Sequence, residues 1–453
     1  MEKQPAEKSY VFDQGYRDVG NAFAVTWGQT FDRASIQRLF SNVLLLIPNL
    51  VVFLVITVFR VTLNTIISIL LIAGFLIVAP IVYIGFVVVA FFDFVYRAIK
   101  RISSMCPNCQ YRFDLPAYVC PTCGRKHTRL IPSQYGVFKR KCLCGTKLPT
   151  TFFNGRQKLK AMCGKCGFDL RDGGNHVDIC IPVVGGPSAG KTCFINMAID
   201  QIHQTLAAKK GYVFEYVSNG LNDYEDIVHG MKQGYLPEKT SDMRLKYYQF
   251  YLTPKEETVK RLVSICDVGG EVYADGTMIG NQIGFRYANA FIIVIDPLSI
   301  AEYRDEISQT VDLTKYGAST MTIDEILSRL VVTLENLYSI SSKTMLKTDV
   351  AVVFTKCDLP GLSDKIGRKA VNSYIRDHYA TREAACNILC EAFLRRHAED
   401  NFVNNVKSKF KSVQYFTCSS LGDVDGKSFI PDGVAEPILW LMKKILNNTD
   451  QKE

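Results

Sequence analysis

Hydrophobic and polar positions divide the chain into three regimes. From Val43 to Phe92 nearly every residue is apolar, with Pro48, Asn49, Arg60, Asn64 and Pro80 as the main interruptions. About 20 apolar residues suffice for one bilayer-spanning helix. The run therefore predicts two, Val43 to Phe59 and Ile66 to Phe92, joined by a turn around RVTLN; the second is long enough to tilt, or to kink at Pro80. A buried hairpin in a soluble protein would show a polar face over such a length. The long polar segment before the run, with no cleavage-like site after it, argues against a signal peptide. From residue 97 to about 175 the chain holds no comparable run. Short apolar stretches then return at Ile179–Val184, Leu245–Leu252, Val259–Asp267, Phe291–Pro297, Thr348–Phe354 and Val413–Thr417, each reading as a strand. Between them Ile323, Leu327, Leu330, Val331 and Leu334 recur at helical spacing, and Pro437–Leu446 reads as a final amphipathic helix.

These regimes set the expected domains: an N-terminal segment (1–41), a transmembrane helical hairpin (42–96), a cysteine-rich part (97–175) and an α/β domain (176–453). A chain of 453 residues has room for this division. Charge sharpens it. Between Arg97 and His176 stand 16 Lys or Arg against 3 Asp, a local +13 that leaves −4 for the rest of the formal +9. Such a patch suits an anionic membrane surface or nucleic acid, with a merely solvated surface as the plain alternative. Arg33 and Arg38 precede the apolar run and Arg97, Lys100 and Arg101 follow it, while the turn holds only Arg60. By the positive-inside rule both termini and the α/β domain face the cytoplasm of a plasma or inner membrane.

Fifteen cysteines do not make a disulfide scaffold here, because eight fall in four tight pairs and seven are scattered. CPNC and CPTC supply Cys106, Cys109, Cys120 and Cys123; KCLCG and MCGKCG supply Cys142, Cys144, Cys163 and Cys166. Paired thiolates on tight turns reach one tetrahedral Zn²⁺, so consecutive pairs predict two tandem zinc ribbons, both structural because neither leaves an open coordination position. His127 reads as a surface residue rather than a ligand. Protein docking or membrane apposition ranks above base recognition, since few aromatic residues interleave with the basic ones.

After the strand at Ile179–Val184 comes GGPSAGKT, then the helical pattern CFINMAI. Gly185, Gly186, Pro187, Ser188, Ala189, Gly190, Lys191, Thr192 and Cys193 thus form a phosphate-cradling loop and the start of its helix. Backbone N–H groups hold phosphate oxygens, Lys191 neutralises the β and γ phosphates, and the Thr192 hydroxyl binds Mg²⁺. Asp267, at a strand end, can reach the same metal, and Gly270 in DVGG can sense a γ phosphate. In TKCD, Asp358 can accept two hydrogen bonds from guanine while Thr355 and the Lys356 stem support the base. That pairing selects GTP over ATP. Cys418, Ser419 and Ser420 stand at the turn expected beside the guanine O6. Thr240 is the candidate switch threonine over Mg²⁺, with Thr253 as a weaker alternative.

GGPSAGKT, DVGG, TKCD and CSS, in this order over residues 177–448, resemble a translation-factor-type P-loop GTPase. The resemblance implies a doubly wound, mostly parallel sheet with helices on both faces and GTP or GDP at the strand carboxyl ends. Joined to a KCLCGTKLPTT ribbon, GGPSAGKT and DVGGE look like the bacterial double-GTPase proteins, which implies a setting in antiviral defence or other intracellular conflict. Glu271 stands where such switches often carry glutamine. It can hold and deprotonate an attacking water but, when ionised, can only accept hydrogen bonds.

The expectation is a membrane-anchored GTPase switch that hydrolyses GTP slowly, with Lys191 and Glu271 as its catalytic residues. Its partners are the lipid bilayer and a protein effector or activator, with nucleic acid and a second copy as lesser alternatives. No arginine finger is assigned. The rivals are a GTP-binding scaffold with little hydrolysis and a membrane-tethered zinc-ribbon nucleic-acid sensor.

Overall fold

The computed structural model describes residues 4–30, 46–100, 102–106, 109, 111–170, 176–217, 221–233, 235, 237, 246–257, 259–269, 283–313, 316–341, 343, 345–422 and 429–450. The chain divides into two compact units, Met1–Asn175 and His176–Glu453.

In the first unit, helix α1 (Gln14–Thr30) lies antiparallel along α2 (Leu46–Ile99), with Phe12 against Tyr83, Tyr16 against Phe75, and Trp27 Nε1 donating to Ser68 Oγ at 3.2 Å. The expected turn at RVTLN does not form. Instead α2 runs unbroken for 54 residues, roughly 80 Å at 1.5 Å per residue. Arg60–Asn64 holds neither glycine nor proline to end the helix. The hydroxyls of Thr62 and Thr65 turn back onto carbonyls of the preceding turn, and Asn64 Nδ2 donates sideways to Thr26 O at 2.9 Å. The polar residues that suggested a turn thus serve the helix itself and its contact with α1. Pro80 sits inside the helix without ending it. The segment Ile47–Ile99 is long and apolar enough to cross a membrane, and its side chains are mostly exposed. The same-side placement of both termini rested on the turn, so it loses that support.

The remainder of this unit is built from short strands: β1 (Ser104–Met105) with β2 (Arg112–Phe113), β3 (Ala117–Val119), β4 (Lys126–His127), β5 (Lys139–Lys141) with β6 (Lys147–Pro149), β7 (Ala161–Met162) and β8 (Asp169–Leu170). β4, β3, β7 and β8 form one four-stranded sheet. So little sheet buries a small core, in which the cysteines are themselves central: Cys106, Cys120, Cys142 and Cys163 are buried with Tyr118 and Leu148.

The second unit is a seven-stranded mixed sheet in the order β10 (Tyr212–Tyr216), β11 (Lys246–Pro254), β12 (Arg261–Asp267), β9 (Val177–Gly185), β13 (Ala290–Ile295), β14 (Leu346–Phe354), β15 (Phe410–Thr417). The five strands from β12 to β15 are parallel, while β11 and β10 are antiparallel additions at one edge. The central strands are apolar on both faces, as a sheet covered on both sides requires. One face packs Ile293, Ile295 and Val352 against Ile323, Leu327 and Leu330 of α6 (Ile323–Tyr338), with Phe402 and Val406 beyond. The other packs Ile292, Val294 and Val353 against Phe194 and Met197 of α3 (Lys191–Gln201) and Ile438 and Leu441 of α10 (Glu436–Asp450). Between these lie α4 (Leu221–Lys232), α5 (Ala301–Ser308), α7 (Arg368–His378), α8 (Arg382–Arg396) and α9 (Asp400–Lys409). The loops at the carboxyl ends of the parallel strands carry the candidate site.

Candidate functional site

β9 delivers the chain at Gly185 into a loop that re-enters helix at Lys191. Two glycines are demanded by space. A Cβ on Gly185 would lie 2.6 Å from Val294 O, and one on Gly186 would lie 2.1 Å from Ser319 Oγ. The turn closes through left-handed Ser188 and Gly190, at φ 59° and 82°, the second preceding α3. This geometry aims the first N–H groups of α3 into the loop, the arrangement that binds phosphate. Lys191 is buried there, its Nζ donating to Gly185 O at 3.0 Å and Gly186 O at 2.9 Å. Burial pulls its pKa down to about 8, against an upward pull from Asp267.

β12 lies beside β9 in parallel register, Asp267 opposite Val183, so the carboxylate ends next to the loop. Thr192 Oγ1 donates to Asp267 Oδ2 at 2.8 Å. Burial raises the Asp267 pKa, opposed by Lys191 and by the Thr192 hydrogen bond. Asp267 Oδ1 is buried and has no hydrogen-bond partner among the described residues. An oxygen-donor pair with one carboxylate oxygen unused fits Mg²⁺, which takes few protein ligands and keeps its remaining positions for water and phosphate.

The TKCD motif, the candidate base reader, reaches the same loop. Thr355 Oγ1 donates to Ala189 O at 2.8 Å, tying the end of β14 to the phosphate loop. Lys356 takes a left-handed φ of 55°, and its Nζ donates to Asp296 Oδ2 at 2.7 Å and to Gly317 O. Cys357 N–H donates to Cys418 O, and Cys418 N–H to Phe354 O, which sets the CSS turn against TKCD. Ser419 Oγ accepts from Gly422 N–H at 2.9 Å. Cys418, Ser419 and Ser420 are buried, Asp358 and Pro187 are half-buried, and Ser188 is exposed. Cys193 is half-buried in the first turn of α3, and burial pushes its thiol up to about 11.

Thr240, Gly270 and Glu271 lie outside the described residues. Thr253 does not meet the phosphate loop. It sits toward the far end of β11, where its Oγ1 accepts from Arg261 N–H, while the Lys246 end of that strand pairs with Asp267. Its place in the strand register excludes it as the switch threonine.

Asp296 is a site residue that motif reading missed. Fully buried at the end of β13, its carboxylate takes Leu298 N–H at 3.0 Å and Ser319 N–H at 2.9 Å besides Lys356. It thereby holds the 317–321 segment against Gly186. The available signal was a lone acid closing the wholly apolar run FIIVI.

The cysteines gather into two clusters, but not as tandem neighbours. Cys106 and Cys109 join Cys163 and Cys166, while Cys120 and Cys123 join Cys142 and Cys144. β3 explains the nesting. It pairs antiparallel with β7, Ala117 opposite Met162, so Cys163 emerges beside the beginning of β3 while Cys120 follows its other end. Sulfur pairs lie 3.5 Å apart for Cys106–Cys166 and 3.6 Å apart for Cys109–Cys163, Cys120–Cys144 and Cys123–Cys142. A tetrahedron with Zn–S bonds near 2.3 Å has edges of about 3.8 Å, so both donor sets fit zinc with little adjustment. His127, expected at the surface, is fully buried with Nε2 3.4 Å from Cys142 Sγ. Burial, with help from Arg140 and Arg125, pulls its pKa down to about 4, and the ring stands where it can serve as an outer hydrogen-bond partner of that sulfur.

A family model described as Double-GTPase 2 matches residues 179–409. Among solved structures, the chain is similar to the RocCORdC part of Roco2 from Methanosarcina barkeri bound to GDP, with 13% identity and a TM-score of 0.24. That similarity covers 60% of this chain and 49% of the other, so the chain spans about half the length of its solved relative. No curated protein matches.

Proposed function

Because this chain belongs to the Double-GTPase 2 family, we propose that it is a membrane-anchored guanine-nucleotide switch that binds GTP with Mg²⁺ and hydrolyses it slowly to GDP and phosphate. The observation that carries the reading is the bond from Thr355 Oγ1 to Ala189 O, which ties the base-reading turn to the phosphate loop so that both can serve one nucleotide. Lys191 would exchange its two loop carbonyls for β and γ phosphate oxygens, and the N–H groups of the loop would hold the α and β phosphates. Thr192 and Asp267 would hold Mg²⁺, which supplies charge neutralisation across the β and γ phosphates. Asp358 would read the guanine edge, and Asp296 would keep the Lys356 stem extended along the base. Glu271 would orient the attacking water.

Zn²⁺ in the two cysteine clusters would act structurally, since four thiolates leave no position for substrate. Membrane attachment through α2 is supported by the apolarity of Ile47–Ile99, and a cytoplasmic GTPase unit would follow from Arg97, Lys100 and Arg101 after it by the positive-inside rule. A protein effector, and a setting in bacterial defence or signalling, complete the proposal.

The test is competition binding on the full-length protein. GTP should be preferred to ATP by a factor on the order of 100 or more. Asp358→Asn should lose that preference and gain affinity for xanthosine triphosphate, whose C2 carbonyl the new amide can meet with a donor. Equal affinities of the wild type for GTP and ATP would defeat the reading.

A further inference from the structure

Within the first unit, the cysteine-rich part is bolted to the end of α2 by a buried ion pair. Asp93 Oδ2 accepts from Arg156 Nη1 and from Arg97 Nε, each at 3.1 Å, and Asp93 Oδ1 accepts from Phe152 N–H at 3.0 Å. Arg156 is wholly buried and also donates to Leu130 O and Thr150 O. The 150–156 loop is therefore fixed on the helix, with the rings of Phe152 and Phe153 each 4.7 Å from that of Tyr96. A second loop joins it, because Asn154 Nδ2 donates to Phe138 O at 2.8 Å. Both loops hold a ring out to water: Phe153 is 70% exposed and Phe138 60%. On the helix itself Phe91, Phe92 and Phe94 are exposed as well.

The stretch that carries Phe138 and Phe153 is strongly basic. No acidic residue occurs between Asp114 and Asp169, a stretch that holds 11 Lys or Arg. In the β5–β6 hairpin, which begins next to Phe138, alternation turns Lys139, Lys141 and Lys147 outward and Arg140 inward. Lys141 and Lys147 stand directly opposite each other, a like-charge pair that costs stability, and Glu7 offsets only Lys141, at 2.8 Å.

Exposed rings beside lysines, continuous with the end of an apolar helix, match the chemistry of a bilayer interface. Aromatic rings settle at headgroup depth there, and lysines are drawn to anionic lipid. We propose that the Phe138 and Phe153 loops, with Lys139, Lys147 and Lys100, form a docking surface for the anionic headgroup layer of the membrane that α2 enters. The inference rests on the membrane reading of α2. Docking seats the cysteine module, already fixed to α2 through Asp93 and Arg156, on the membrane surface. Nucleic acid would also meet the lysines, but it gives no role to the continuity of Phe153 with Tyr96 and α2.

The test uses full-length protein in vesicles of phosphatidylcholine and phosphatidylserine at about 7:3, in a Trp27→Phe, Trp440→Phe background. Phe153→Trp reports docking and Ile84→Trp, about 18 Å along α2 from Tyr96 and so near mid-bilayer, reports insertion of α2. The proposal expects Phe153→Trp to be quenched at least twofold more by lipid brominated near the headgroup than by lipid brominated near the chain end. It also expects that quenching to weaken in pure phosphatidylcholine, with zinc content unchanged. If Ile84→Trp is quenched by lipid while Phe153→Trp is quenched only by aqueous iodide, α2 inserts and the docking surface is refuted. If neither responds to lipid, the membrane reading falls and takes the docking surface with it. Shielding of Phe153→Trp from iodide by single-stranded RNA, and not by vesicles, would reassign the surface to nucleic acid and overturn the proposal.

Discussion

Thr192 Oγ1 and Asp267 Oδ2 stand 2.8 Å apart although 75 residues separate them in the chain. The contact exists because β9 and β12 are parallel neighbours whose carboxyl ends coincide, Asp267 opposite Val183. It gathers a hydroxyl and a buried carboxylate beside the Lys191 ammonium at the phosphate loop, where the burial of Lys191 makes its protonation a variable of nucleotide binding.

The first prediction concerns that proton. Burial sets the Lys191 pKa near 8, and bound phosphates would raise it, so GTP binding takes up a proton above that pH. The sign follows from linkage: affinity is complete below about 8 and falls as pH rises through it, by up to about tenfold per pH unit for one proton. Lys191→Arg keeps its charge across this range and should show no break at 8, even if its affinity is lower throughout. Titrations with a fluorescent GTP analogue from pH 6.5 to 9.5 would decide it; a flat wild-type profile contradicts the assignment.

A second prediction uses the crowding at Gly186, where a Cβ would lie 2.1 Å from Ser319 Oγ but 3.4 Å from Ser319 Cβ. Gly186→Ala should cost about 1–3 kcal/mol of stability by overpacking and should weaken GTP binding. Because the severe clash is with the hydroxyl, adding Ser319→Ala should restore most of the loss, leaving the milder approach to Met321 Cβ at 3.2 Å. Thermal melts of the two single variants and the double variant measure the coupling, and additive effects would refute it.

Much of the nucleotide site was legible because its chemistry lies in short contiguous motifs at strand ends. The loop that buries Lys191 and brings Thr192 to Asp267 follows from GGPSAGKT, and the stripe Ile323, Leu327, Leu330 lies on the sheet as helical spacing implied. What escaped depends on distant pairing. Asp296 became part of the site only because Lys356, 60 residues on, reaches back to it. Asn64 looked like a turn marker because its partner, the Thr26 carbonyl, belongs to another helix. The cysteine pairs were countable, but adjacency in sequence chose the wrong partners, since the β3–β7 register decides which ends of the module meet.

Nested pairing gives the third prediction. Full-length protein should carry two zinc ions per chain, one for each four-cysteine cluster. Cys109→Ser with Cys163→Ser removes two ligands from a single cluster and should lose one zinc, whereas Cys109→Ser with Cys120→Ser touches both clusters and should lose up to two. Tandem ribbons require the reverse order. Metal content by mass spectrometry on the purified variants separates the two pairings, and solubility and melting temperature identify any variant that fails to fold.

The last prediction returns to the residue after DVGG. Glu271 lies outside the described residues, but its chemistry is set by its type. An ionised carboxylate placed near a γ phosphate meets strong negative charge, and it can only accept hydrogen bonds from an attacking water. Glutamine at the same position would be neutral and could both donate and accept. Glu271→Gln should therefore change single-turnover GTP hydrolysis, while the GTP dissociation constant shifts by less than about threefold, an effect below about 1 kcal/mol. Lys191→Ala serves as the contrast, since it should remove turnover and weaken binding together. Equal turnover in Glu271→Gln and wild type would make Glu271 a bystander and leave the water to be oriented by a residue from a partner.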